Sequence, residues 1–209
     1  VYITYKVLDF ADLTVDGSLA TGGAVAVMCM LNGANTYVAL ILAFLAGMLA
    51  GLVTGLFHTA LGIPPILAGI LTQLGLYSIN MRIMGKANQA ISVMQYDVLV
   101  SLRYIPHACL LTTGFCIVII ALLYWFFGTE IGASVRATGC NPNMARAQGI
   151  NTNATKVLGL VISNGLVGLA GALYAQYQGS ADINMGRGAI VIGLAAVIIG
   201  EVVFGKIFH

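Results

Sequence analysis

Charged residues are scarce in this chain. Asp, Glu, Lys and Arg make up only 8% of its 209 residues, and the formal net charge is +2. The surface of a soluble domain needs a much larger charged fraction, and a protein that binds nucleic acid needs clustered basic residues. The composition therefore excludes an ordinary soluble domain and predicts no nucleic-acid partner.

Motifs for disulfides, metal binding and catalysis are also missing. The four cysteines form no C-x-x-C pair and no cluster with histidine at the spacing of zinc ligands. The sequence has no G-x-x-x-x-G-K-S/T phosphate loop, no nucleophile elbow and no H-E-x-x-H pair. We expect no metal, no resident cofactor and no enzymatic activity, so chemical energy has to come from a partner.

Apolar residues dominate what is present. They make up 59% of the chain, and the mean hydropathy is +0.96. Runs of about twenty such residues match the thickness of a bilayer core. We predict an all-α, polytopic transmembrane helical bundle that forms one domain over residues 1–209. Crossing helices are predicted at residues 36–57, 66–84, 105–127, 157–177 and 189–204, with a shorter helix at residues 19–31.

Small residues recur at helical spacing in two of these segments. Gly47, Gly51 and Gly55 share one face of the predicted helix at residues 36–57. Gly168 and Gly171 lie on one face of the predicted helix at residues 157–177. Glycine lets helix backbones approach closely. In a membrane, helices associate through dispersion contacts because the hydrophobic effect does not drive them together. We expect both faces to pack inside the bundle.

A polar stretch, residues 130–156, interrupts the apolar pattern. Asn141 is a good helix N-cap, Pro142 suits the first helical position, and Gly149 can adopt a left-handed C-terminal cap. These signals predict a helix at residues 142–148 of roughly 10 Å, too short to cross a membrane. Arg136 and Arg146 make the stretch basic. It could dock onto a partner or be an ordinary loop between two spans, and spacing alone does not decide.

This stretch carries a resemblance to a known family. RATGCNPNMARAQGIN resembles the coupling-helix loop of permease subunits of ABC importers for branched-chain amino acids and simple sugars, where a pattern like GGNPEAARLSGI recurs. GLAGALYAQYQGSADINMGRGAIVIGLAAVIIGEVVFG is similar to that family's small-residue helix, its N-x-G-x-G turn and its AAVVIGG segment. LDFADLTVDGSLATGGAVAV and LGIPPILAGILTQLGLYSINMRI are similar to its DLSVGS and VPPFIVTL segments. Asp16 within LTVDGS departs from the sugar type, and the chain is closest to amino-acid-type permeases, including systems for tryptophan or tyrosine.

The resemblance implies an assembly in the bacterial inner membrane. Two permease copies would form the pathway, two cytosolic ATP-binding cassette ATPases would bind ATP and receive the coupling helices, and an external binding protein would deliver substrate. Residues 130–156 would be cytoplasmic, with the 58–65 turn inside and the 85–103 loop outside. The chain, which starts at Val1, would be a permease incomplete at both ends. The expected coupling residues are Arg136, Asn141, Pro142, Met144, Ala145, Arg146 and Gly149, with Met144 and Ala145 packing into the ATPase groove and Arg146 pairing with an acidic residue.

Polar side chains inside the apolar segments are candidates for the transport path, because lipid disfavours them. The carboxylates could instead cap helices or face water, and the other side chains could join neighbouring helices. Glu201 could be a boundary residue or a buried functional carboxylate. The path candidates are Asp12, Asp16, Ser18, Thr72, Gln73 and Asn164.

Three other functions compete with an amino-acid importer. A sugar or nucleoside permease of the same family would share every feature above. An ion-coupled secondary transporter usually carries charges at the centres of its spans, and these spans lack them. A scaffolding membrane protein would not need polar residues along several spans.

Overall fold

The protein is a helical bundle. The computed structural model describes residues 1–91 and 105–207, and these are almost entirely helical, which confirms the predicted fold class. A short π-helical turn, Ile3–Val7, precedes the first α-helix. The α-helices are α1 (Val15–Leu31), α2 (Thr36–Thr59), α3 (Pro65–Met84), α4 (Ile105–Gly128), α5 (Glu130–Cys140), α6 (Pro142–Ala147), α7 (Thr152–Gln178) and α8 (Ala189–Gly205), and the strands are β1 (Asn88–Ala90) and β2 (Ser180–Asp182).

Four of the described helices are long and apolar enough to cross a membrane: α2, α3, α4 and α7. Each corresponds to a predicted crossing segment. The helices α1 and α8 are apolar but have only 17 residues each. The chain is therefore a multi-pass membrane protein that combines full-length and shorter helices.

The helices α2 and α7 pack against each other along their glycines. Gly47 lies against the backbone of Asn164, and a methyl group at Gly51 would overlap the carbonyl oxygen of Leu160. Further along α2, Gly55 contacts Val157. The contacts run in opposite directions along the two helices, so α2 and α7 are antiparallel. The predicted close-packing face of α2 thus lies within this chain.

The helix α1 begins near the middle of α7. The Ser18 hydroxyl donates a hydrogen bond to the Oδ1 atom of Asn164, and Gly22 packs directly against Gly168. These contacts run in the same direction along both helices, so α1 covers only the C-terminal half of α7. The helix also starts earlier than predicted, at Val15. Consequently Asp16 and Ser18 lie inside α1 and do not cap it.

The two short strands close one end of the bundle. β1 pairs with β2 in antiparallel register, with Asn88 opposite Asp182. At the other end, the ring of Phe10 packs edge-on against His58, with 5.0 Å between the ring centroids. The 58–65 turn and the start of the 85–103 loop therefore lie at opposite ends, as predicted. Most of that loop, residues 92–104, lies outside the described ranges.

The helix α8 does not begin at the end of the bundle. After β2 the chain returns along α1, where Met185 contacts Gly23 and Gly186 packs against the backbone of Asp16. From there α8 extends about 18 Å to Glu201, which pairs with Lys6 at the opposite end. A complete crossing by residues 189–204 is therefore not supported. Both side chains of the ion pair are about half exposed, so Glu201 is not a buried carboxylate.

Candidate functional site

Residues 130–156 are mostly helical, which corrects the prediction of a loop with one short helix. The Thr129 hydroxyl accepts a hydrogen bond from the backbone N–H of Gly132 and caps α5. Val135 is fully buried, and the Thr138 and Thr155 hydroxyls lie 2.8 Å apart across the α5–α7 contact. α5 is therefore fixed to the bundle by one face and leaves the other exposed.

A single residue, Asn141, separates α6 from α5. Asn141 has φ −154° and ψ 99°, an extended conformation that turns the chain between the two helices. Its Oδ1 atom accepts hydrogen bonds from the backbone N–H groups of Asn143 and Met144, both at 3.1 Å. Pro142 occupies the first helical position, where no backbone donor is needed. The cap chemistry expected from the sequence is present.

The C-terminal end of α6 is equally well defined. Gly149 has φ 85°, and its N–H donates to the carbonyl of Arg146 at 3.0 Å. The N–H of Ile150 donates to the carbonyl of Ala145 at 3.0 Å, which completes a Schellman motif. A helix of six residues is too short to be stable from propensity alone, so these two caps hold it.

Met144 and Arg146 are both exposed on α6. Met144 is 58% exposed, whereas Ala145 is 1% exposed and faces its own chain. A side chain in that position does not reach a partner, so the expected role of Ala145 in a groove is replaced by an anchoring role. The Nε–H of Arg146 donates to the buried hydroxyl of Thr152 at 2.9 Å, which orients the guanidinium at the surface. Arg136 is also exposed, on α5.

Three of the predicted path residues form a buried hydrogen-bond network. The Nδ2–H of Asn164 donates to the Oδ2 atom of Asp12 at 2.8 Å. The Ser18 hydroxyl donates to the Oδ1 atom of Asn164 at 2.6 Å. The other carboxylate oxygen of Asp12 accepts from the backbone N–H of Thr14 at 3.0 Å. Each of these side chains is at most 2% exposed, so they join α1 to α7 within the protein.

A chain of threonine hydroxyls extends this network. Thr14 and Thr54 lie 2.6 Å apart, and the Thr54 hydroxyl donates to Thr72 at 2.9 Å. Thr72 thus joins α3 to α2 and does not face open space. Sequence reasoning missed Thr14 and Thr54. The only local signal at Thr54 was a hydroxyl within an otherwise apolar run.

The remaining two path candidates lie at a cavity. The carboxylate of Asp16 accepts hydrogen bonds from the backbone N–H groups of Gly188 and Ile190, at 3.3 and 3.0 Å. It therefore caps α8 and not α1. Asp16 and Gln73 line a cavity of about 110 Å³ between α1, α3 and the turn before α8. The six predicted path residues are thus divided between a closed network and an open cavity.

These features define a class of protein: a multi-pass membrane protein with a short, capped helix exposed at one end of the bundle and a polar interior. The profile of the family described as "Branched-chain amino acid transport system / permease component" matches residues 1–208. This chain belongs to that family. The membership makes it a permease of an ABC import system, and it implies an ATPase and a substrate-binding protein as partners.

Individual relatives agree with the family. The chain is 43% identical over 206 residues to a tyrosine transport system permease protein of Clostridioides difficile (strain R20291), covering 99% of this chain and 68% of the relative. It is 37% identical over 206 residues to an uncharacterized protein of Rickettsia prowazekii (strain Madrid E), covering 97% and 71%. A nucleoside ABC transporter permease protein of Lactococcus lactis is 37% identical over 91 residues, covering 42% and 29%. No solved structure matches.

Proposed function

We propose that this chain forms the translocation pathway for an amino acid in a bacterial ABC importer, and that α6 couples it to the ATPase. The observation that supports the coupling role most strongly is the presentation of α6. Its two ends are capped, Ala145 anchors it, and Met144 and Arg146 are both exposed. A rigid helix that exposes one apolar side chain and one cation suits a groove with an acidic rim.

Coupling requires that force on α6 reach the spanning helices. Thr152 receives the Arg146 hydrogen bond and begins α7, while Thr138 of α5 contacts Thr155 one turn further along. Movement of α6 would therefore act directly on α7, which packs against both α1 and α2. ATP, bound by the partner ATPase, would alternate the pathway between two states. Net transport then requires that substrate bind those states with different affinity.

A second copy of this chain would complete the pathway. Several helices leave large apolar side chains uncovered, among them Leu74 and Tyr77 of α3, which lie at the mouth of the Asp16 cavity. Two copies that meet across α3 would place their cavities on a shared path. The external binding protein would deliver substrate to the end of the bundle closed by β1 and β2, and residues 130–156 would face the cytoplasm.

An amino acid is the substrate class we favour. The tyrosine permease named above is similar over nearly the whole chain, whereas the nucleoside permease is similar over less than half of it. A nucleoside or simple sugar carries no fixed charge, and the cavity beside α1 contains both Asp16 and Arg187. Opposite charges in one cavity suit a zwitterion better than a neutral solute.

Co-purification tests the coupling role. The full-length permease, as wild type and as Arg146→Glu, is extracted from membranes that also contain the ATPase, and the bound ATPase is measured. We expect the charge reversal to reduce the bound ATPase at least tenfold, because it removes one favourable ionic contact and introduces a repulsive one.

The matched control is Arg82→Glu. Arg82 is also an exposed arginine, but it lies in the last turn of α3, at the opposite end of the bundle from α6. It should retain the ATPase at the wild-type level. Equal retention by Arg146→Glu and Arg82→Glu would reject α6 as the coupling element, and absence of ATPase from the wild type would favour an ion-coupled carrier.

A further inference from the structure

The cavity beside Asp16 lies where two helices begin. α1 starts at Val15 and α8 at Ala189, and Gly186 packs against the backbone of Asp16 between them. Helix N-termini carry partial positive charge, and short helices that begin inside a transporter commonly direct that charge at bound groups. In this protein the Asp16 carboxylate accepts hydrogen bonds from the first turn of α8 and neutralises part of that charge.

Asn80 gives independent evidence for a ligand. It lines the same cavity, is 1% exposed, and its Oδ1 atom has no hydrogen-bond partner within residues 1–91 and 105–207. A buried amide oxygen without a partner is costly, on the order of 1–3 kcal/mol. The closed network around Asn164 has no such orphan among the atoms of Asp12, Ser18 or Asn164. The cavity therefore lacks a hydrogen-bond donor that a bound molecule could supply.

Arg187 supplies the complementary charge. It lines the cavity, is exposed, and no carboxylate in the described ranges lies within ion-pair distance of its guanidinium. The cavity thus combines one carboxylate, one uncommitted guanidinium and an amide acceptor. Its charges sum to zero but are separated, which is the pattern that a zwitterion complements.

We propose that this cavity binds the ammonium and carboxylate head of an α-amino acid, an inference that rests on the proposed transport function. Arg187 would bind the carboxylate, while Asp16 and the Oδ1 atom of Asn80 would accept from the ammonium. The cavity has a volume of about 110 Å³ and is therefore small. It suits the head group alone, and the side chain of the amino acid would extend past Tyr77 at the mouth.

Binding to the isolated transport complex tests this assignment. The full-length permease with its ATPase is placed in nanodiscs without the binding protein, and saturation-transfer NMR measures the affinity for L-tyrosine and L-leucine. Tyramine, which lacks the carboxylate, is measured in parallel. We expect Arg187→Gln to weaken L-tyrosine binding about tenfold to a hundredfold, the range for a lost hydrogen bond to a charged group, and to leave tyramine binding unchanged.

Two further variants guard against a structural explanation. Asn80→Ala should weaken both L-tyrosine and tyramine, because both carry the ammonium group. Arg82→Gln removes an exposed arginine outside the cavity and should change neither affinity. Unchanged L-tyrosine affinity in both Arg187→Gln and Asn80→Ala would overturn the assignment.

The failure of this inference is separable from failure of the proposed function. ATP-driven uptake of D-ribose without binding or uptake of either amino acid would reject the zwitterion site and leave an ABC permease for another solute. Absence of ATP-driven uptake for all three solutes would reject both. Uptake of an amino acid together with unaltered binding by the two cavity variants would reject the site alone.

Discussion

Two polar clusters lie close together near the start of α1, and they differ in one respect. In the cluster around Asn164, each polar side chain of Asp12, Ser18 and Asn164 has a protein partner. In the cluster around Asp16, Asn80 has an orphan oxygen and Arg187 has no carboxylate partner in the described ranges. The comparison indicates that a polar cluster in a membrane segment is structural when all its members are paired within the protein, and is available for a solute when some of them are not.

The largest effect on stability is expected from breaking the hydrogen-bond network around Asn164. Asn164→Leu leaves the Asp12 carboxylate and the Ser18 hydroxyl buried without their partner. We expect a loss of about 3 kcal/mol or more in the free energy of unfolding, because two buried polar side chains lose a hydrogen-bond partner. Denaturant unfolding of the full-length permease in micelles measures it.

A double variant sharpens this prediction. Removing both partners, as in Asn164→Leu with Asp12→Leu, should recover part of the lost stability, since no buried carboxyl group is then left without its amide partner. Additive losses in the two single variants and the double variant would show that the two side chains do not interact.

A smaller loss is expected at the threonine chain. Thr54→Val keeps the shape of the side chain but removes the contacts to Thr14 and Thr72. We expect about 1–2 kcal/mol of destabilisation from two lost hydrogen bonds, with transport unaltered below the unfolding temperature. Thr113→Val is the matched control, because within the described ranges the exposed Thr113 hydroxyl bonds only to the carbonyl of its own helix at Cys109. Equal destabilisation by both variants would contradict the account.

Substitutions in the cluster around Asp16 should have the opposite balance of effects: transport should be more sensitive to them than stability. Asp16→Asn keeps an oxygen that can accept from the first turn of α8 but removes the negative charge. We expect less than about 1 kcal/mol of destabilisation, as for an altered helix cap, together with a large fall in amino-acid uptake. Thermal unfolding and uptake by the same preparation would check this. A stability loss as large as that of Asn164→Leu, with uptake intact, would place Asp16 in the structural class.

The smallest effect on stability is expected from the exposed ion pair between Lys6 and Glu201. Solvated pairs of this kind contribute little and are screened by salt. We expect Lys6→Gln to leave the unfolding temperature unchanged within error at physiological salt, as measured by scanning calorimetry. A marked drop that persists at high salt would mean that the pair lies in a less polar environment than its exposure indicates.

The features predictable from the sequence were local ones. The ends of α6 follow from Asn141, Pro142 and Gly149, whose backbone and side-chain chemistry acts within a few residues. The close packing of Gly47 and Gly51 was predictable because small residues at this spacing have few other uses in a membrane. The four crossing helices followed from length and composition.

The features that escaped prediction depend on distant residues. Asp16 is of a residue type that often caps its own helix, but its hydrogen-bond partners lie at the start of α8, far along the chain. Thr14 and Thr54 are 40 residues apart in the sequence, and no local sequence pattern predicts their contact. α5 was missed because its small and polar residues resemble a loop, although Thr129 as a cap and the spacing of Val135 and Thr138 were usable signals.

The most direct test of the central claim is ATP-driven uptake of radiolabelled L-tyrosine into proteoliposomes that contain the full-length permease, its ATPase and its binding protein. We predict uptake that requires ATP and falls at least tenfold in Arg146→Glu but not in Arg82→Glu. Uptake that continues without ATP, or that is unaffected by reversal of the charge on α6, would contradict an importer driven through this helix.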